Sequence, residues 1–308
     1  MRISCGRRLR VRLGLLAVLV QPAWAFAHAE HRERLDSVDA LHWSFDPWVL
    51  ASLALAAGFY LCGILRLWRA STPGAGVRRW QAGCFAGGWL TLVVALVTPL
   101  DPLGEVLFSA HMVQHELLML VAAPLLVLGR PLAVFVWALP PGGRRATGTF
   151  TRTAAVTGAW RGITHPFTAW AVHALVLWAW HAPPLFQASV LDTSVHTAQH
   201  LSFLFAALLF WWTLLYGRPK HGGSGVAILY LLSTAMHTGV LGALLTFSQR
   251  IWYPVYAPLT PAWGMTPLED QQLGGLIMWV PGGLVYLIAA LWLAGRLLGE
   301  GGVAEPRR

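Results

Sequence analysis

The sequence predicts an all-α protein: a seven-helix transmembrane bundle with its N-terminus outside and its C-terminus inside, preceded by a cleaved signal peptide. Three observations carry this. The 308 residues are 56% hydrophobic and only 11% charged, whereas a soluble domain is roughly a quarter charged. Seven apolar runs follow one another, each near the roughly 20 residues that cross hydrocarbon. The basic residues fall in alternate loops between those runs, as the positive-inside rule requires.

The elements follow in order. Residues 1–27 read as the signal peptide: "MRISCGRRLRVR" is basic, "LGLLAVLV" is a short apolar core, and "AWAFA" supplies small residues for cleavage after Ala27. Residues 28–45 form an external tail, 46–298 the membrane domain and 299–308 an internal tail. The seven spans are expected at 47–67, 80–99, 109–128, 166–183, 194–216, 226–247 and 272–293. Arg66, Arg69, Arg78 and Arg79 follow the first span, Arg130, Arg144, Arg145, Arg152 and Arg161 the third, and Arg218 and Lys220 the fifth. The loops after the second and fourth spans carry no basic residue, and only Arg250 follows the sixth. "PLAVFVWALP" in the third loop is too short to cross and is expected to lie along the surface. Trp252, Tyr253, Tyr256 and Trp263 after the sixth span suit the outer interface.

The net charge of +9 does not point to nucleic acid, because the basic residues are spread over short loops and form no single patch. Cys62 and Cys84 lie in apolar runs without Cys-x-x-Cys spacing, so buried free thiols are expected and no disulfide framework.

Against this background the histidines stand out. "HMVQHELLML" places His111 and His115 four residues apart in the third span. On a helix that is about 6 Å of rise and roughly one turn, so both imidazoles share a face. "HTAQH" repeats the spacing in the fifth span with His196 and His200. His181 falls at the outer mouth of the fourth span and His173 about 12 Å deeper. His237 lies near mid-depth in the sixth, and Asp270 opens the seventh. The topology therefore puts His111, His115, His173, His181, His196, His200, His237 and Asp270 in one half of the membrane, with Glu116 beside them. Ionisable groups in hydrocarbon are costly and mark functional interiors.

Neutral imidazole ligates copper, zinc, iron and nickel, and thioethers add preference for Cu(I). Met112, Met236 and Met278 accompany the histidines on their spans as candidate soft ligands. Asp270 is read as a ligand or as a group orienting a ligand imidazole. The expected metal is Cu(I), entering near His181, His196 and Asp270 and moving to His111, His115 and His200, with His237 a further ligand.

Several stretches carry a family resemblance: "HMVQHELLMLVAAPLL", "HPFTAWAVHALVLWAWH", "HTAQHLSFLFAALLFWW", "MHTGVLGALLTF" and "LEDQQLGGLIMWVPGG". Over residues 45–298 the chain resembles the polytopic CtaG family of cytochrome c oxidase assembly factors. The resemblance implies a multi-pass protein of the bacterial cytoplasmic membrane, with a periplasmic N-terminus. It also implies a role in maturing haem–copper oxidase at the copper-B centre of subunit I. The partners implied are that subunit, a periplasmic copper carrier and the lipid bilayer, with no nucleic acid. Copper itself is inferred from ligand chemistry and not from the resemblance.

Other readings stay open on the residues. Histidines on facing helices can hold haem by bis-His ligation. A copper permease would need ligands in the inner half, where Cys62 and Cys84 fall. An enzyme is not expected, since no nucleophile motif or phosphate loop accompanies Glu116 and Asp270.

Overall fold

The computed structural model describes residues 41–70, 76–217 and 223–301, so the expected signal peptide lies outside the described residues. Every regular element among them is helical. Helices α1 (Pro47–Ala70) and α2 (Arg79–Val97) lead into the short α3 (Leu100–Val106). The third expected span is composite: α4 (Phe108–Glu116), a π-helical segment (Leu117–Ala122) and α5 (Ala123–Leu128). Then come α6 (Pro131–Ala138), α7 (Pro141–Thr151), α8 (Ala154–Ile163), α9 (Pro166–His181), α10 (Pro183–Leu191), α11 (Thr193–Tyr216), α12 (Gly223–Thr246) and α13 (Pro267–Gly301).

Among the described residues, six helices are long and apolar enough to cross a membrane, counting Phe108–Leu128 as one. The remaining expected span falls short. Helix α9 has sixteen residues, about 24 Å at 1.5 Å per residue. Ala182 is extended ahead of Pro183, as a residue before proline prefers, and Pro183 and Pro184 start α10 instead.

Local chemistry sets the helix starts. Asp192 caps α11, accepting from the amides of Ser194 and Val195 at 2.8 and 3.0 Å. Thr266 and Glu269 form a capping box at the start of α13, with Thr266 N–H donating to Glu269 Oε2 at 2.8 Å. That box starts α13 at Pro267, five residues before the expected 272, so Asp270 sits in a helical first turn.

Phe108–Leu128 is the most enclosed of the six spans, 61% buried, with α2, α11 and α13 packed against it. Trp211 on α11 donates its indole N–H to the Met119 carbonyl in the π segment at 2.9 Å. This partners one of the carbonyls whose α-helical bond the π register gives up. Helices α12 and α13 meet through glycine: a Cβ on Gly275 would lie 2.8 Å from the Gly242 carbonyl, the small-residue approach usual between membrane helices. The short helix α6 packs against α1, with Val134 fully buried.

Candidate metal centre

The two His-x-x-x-His pairs meet across the bundle. His111 and His115 on α4 have ring centroids 4.3 Å apart, and His196 and His200 on α11 are 4.1 Å apart. Across the interface, His111 lies 5.3 Å from His196 and 5.9 Å from His200. His115 lies 5.4 Å from His200. His181, at the end of α9, joins at 6.4 Å from His115. Among these, His111, His115 and His200 each offer a ring nitrogen, all within 4.8 Å of one another. Metal–imidazole bonds near 2.0–2.1 Å make that separation coordinable with small side-chain shifts.

The hydrogen bonds orient these rings. His111 Nδ1 lies 3.2 Å from the Gly104 carbonyl; donation there leaves Nε2 with its lone pair. That Nε2 lies 3.2 Å from the Gln199 side-chain amide, a contact that opens when the lone pair takes a metal. His181 Nδ1 donates to the Leu177 carbonyl at 2.8 Å, and its buried Nε2 has no hydrogen-bond partner. Both ring nitrogens of His115 are buried without a partner. Nε2 of one ring in the His196–His200 pair donates to Nε2 of the other at 3.1 Å. Buried donors and acceptors are nearly always paired in folded proteins. Orphan imidazole nitrogens converging from α4 and α9, beside the paired histidines of α11, are chemistry suited to a cation.

An aromatic roof covers this cluster. Phe108, Phe186 and Tyr253 pack at 4.2 to 5.3 Å between centroids, and Phe186 lies 5.1 Å from the His111 ring. Tyr253 donates its hydroxyl to the His181 carbonyl at 2.8 Å, and Tyr256 to the Gly104 carbonyl at 3.0 Å. Burial pushes both phenols above their ordinary value, so they remain protonated donors. This corrects the expected interfacial role of these two tyrosines. Both are only 2% exposed, because each phenol reaches a carbonyl beneath the loop. His196 and His200 are half-buried, more exposed than His111, His115 and His181.

The remaining candidates fall elsewhere. Asp270 is fully buried, but its two carboxylate oxygens accept from the amides of Phe108 and Ser109 at 2.7 and 3.0 Å. It caps α4 from α13 and so positions the His-bearing helix. His173 and His237 pair with each other, 6.1 Å between centroids, away from the cluster. Met236 is 67% exposed on the outside of α12, since its neighbour His237 takes the inward direction. Met112 packs against Gly274, and Met112 and Met278 are both buried in the hydrophobic core.

Gly104, Gln199, Phe186 and the tyrosine roof are the site-forming residues that sequence reasoning missed or undervalued. Gln199 carried a signal, being one residue before His200, yet its reach to His111 depends on how α11 is rotated against α4.

Residues 58–300 match the family described as cytochrome c oxidase caa3 assembly factor. An uncharacterized protein of Mycobacterium bovis is 28% identical over 248 residues, covering 77% of this chain and 36% of that protein. The same figures hold for an uncharacterized protein of Mycobacterium tuberculosis. One from Mycobacterium leprae is 27% identical over 250 residues, again 77% and 36%. The chain thus spans about a third of the length of these relatives. No solved structure matches it. With the match covering residues 58–300, the chain belongs to the cytochrome c oxidase caa3 assembly factor family.

Proposed function

We propose that this assembly factor binds Cu(I) as cargo and delivers it to the copper-B centre of its client, subunit I of a haem–copper oxidase. His111, His115 and His200 hold the ion, and His181 and His196 exchange it on entry and release. The observation that carries this reading is the grouping of three imidazole nitrogens within 4.8 Å, with both nitrogens of His115 otherwise unpartnered. Imidazole suits copper. A site of neutral histidines without a committed carboxylate favours the monovalent ion over harder cations.

In this reading the N-terminus is periplasmic, α9 completes a seventh crossing in the bacterial cytoplasmic membrane, and a periplasmic carrier loads the site. The aromatic roof keeps water off bound Cu(I), while the half-buried His196 and His200 face the route by which it enters and leaves. Passage by ligand replacement between imidazoles never requires a bare ion. The chain holds and hands over its cargo and is not an enzyme.

Bis-His haem fits less well. The rings around His115 are already in mutual contact, and Phe203 packs 4.5 Å from His115 and 6.1 Å from His181, where a macrocycle would have to lie. The test is metal analysis and visible absorption of anaerobically purified protein beside the His111→Ala/His115→Ala/His200→Ala variant. Copper lost in the variant supports the reading. Equal copper in both, or a Soret band in the wild type, overturns it.

A further inference from the structure

The membrane helices meet a second time at polar groups, further from the roof. His173 lies eight residues before His181 on α9, about 12 Å along the axis, and is 1% exposed. Its ring stands 6.1 Å from that of His237 on α12. Trp170 meets His237 edge-on at 5.6 Å, and Phe210 packs on His173 at 4.8 Å. Tyr286 on α13 places its hydroxyl 3.5 Å from His173 Nε2. On the same helix Gly282 leaves room for the Glu116 carboxyl: a Cβ there would lie 3.1 Å from Glu116 Oε2.

The hydrogen bonds of this nest do not close. His173 Nδ1, both nitrogens of His237, Trp170 Nε1 and Glu116 Oε2 are buried without partners. Polar atoms shut away from water in this way are disfavoured unless something binds them. None of these side chains takes part in the cluster under the roof.

We propose that His173 and His237 form a second, two-coordinate Cu(I) site, separate from the first. This rests on the copper reading above and adds a second station to it. Two imidazoles in linear coordination stand roughly 6 Å apart between ring centroids, given metal–nitrogen bonds of about 2 Å. That matches the pair. A d10 monovalent ion accepts two ligands, whereas zinc wants four. With its Nε2–H donating to the Tyr286 oxygen, His173 turns the Nδ1 lone pair to the metal, the orienting role that outer partners of ligand histidines play. Glu116 places one carboxyl beside the nest, next in the chain to His115 of the first site.

The test is Cu(I) titration of the full-length protein under anaerobic conditions against a competing chelator, with equivalents counted. The wild type is expected to hold one equivalent more than the His173→Ala/His237→Ala variant. The His111→Ala/His115→Ala/His200→Ala variant is expected to keep one, with X-ray absorption reporting two nitrogen ligands. His237→Gln, at a partly exposed position, is the milder variant and should lose the same equivalent while eluting as a single species. If neither the deep double variant nor His237→Gln changes the count, and the triple variant loses all copper, the second site is refuted and the first stands. A wild type that takes up no Cu(I) refutes both.

Discussion

The carboxylate of Asp270 on α13 accepts the backbone N–H of Phe108 at 2.7 Å, across 162 positions of chain. It also takes the next amide, that of Ser109. A side chain from one membrane helix thus supplies the N-cap of another, and the capped helix carries His111 and His115. Capping interactions are worth about 0.5–2 kcal/mol, and a buried orphan amide adds to the loss. Asp270→Ala is expected to lower the thermal midpoint in detergent and to loosen copper retention together. Asp270→Asn, which keeps one acceptor, should fall between. A stable Asp270→Ala protein that has lost its copper would instead make Asp270 a ligand.

Tyr253→Phe removes a hydroxyl and keeps the ring. The His181 carbonyl loses a 2.8 Å bond, at a cost of about 1 kcal/mol, while the stacking on Phe108 and Phe186 persists. The expected outcome is a small drop in stability with faster loss of Cu(I) to an external chelator, followed by stopped-flow absorbance.

Gly275→Ala should separate α12 from α13. The new methyl would lie 2.7 Å from both the Thr246 amide nitrogen and its Oγ1, and overpacking of this kind costs about 1–3 kcal/mol. A thermal unfolding series in one detergent checks this, with Gly83→Ala as the control at a position with open space around it.

Met236→Ala is expected to change neither copper content nor stability by more than about 0.5 kcal/mol, because the side chain is 67% exposed and faces away from both histidine groups. Loss of copper in this variant would show that α12 is rotated differently when metal is bound.

Reading along the chain locates all of the long helices, because apolar run length is a one-dimensional property and hydrocarbon thickness sets its scale. It also pairs His111 with His115 and His196 with His200, since four residues make about one turn wherever the helix sits. The same reading takes Tyr253 and Tyr256 for interfacial residues. Nothing in their spacing tells that the loop folds back over the bundle and buries both.

The grouping of the histidines differs from expectation for a related reason. Expected depth placed His173 and His237 with the others, and depth is only one coordinate. Which side of its axis a helix presents depends on rotation and on its neighbours. Contacts such as His111 with Gln199, 88 positions apart, exist because α4 and α11 pack face to face. Composition, periodicity and loop charge thus define a polytopic, histidine-rich membrane protein, and its quoted motifs carry the family resemblance. The division of its imidazoles into a roofed cluster and a deeper pair, and the use of Asp270 as a cap, came from packing between helices, which distance along the chain does not encode.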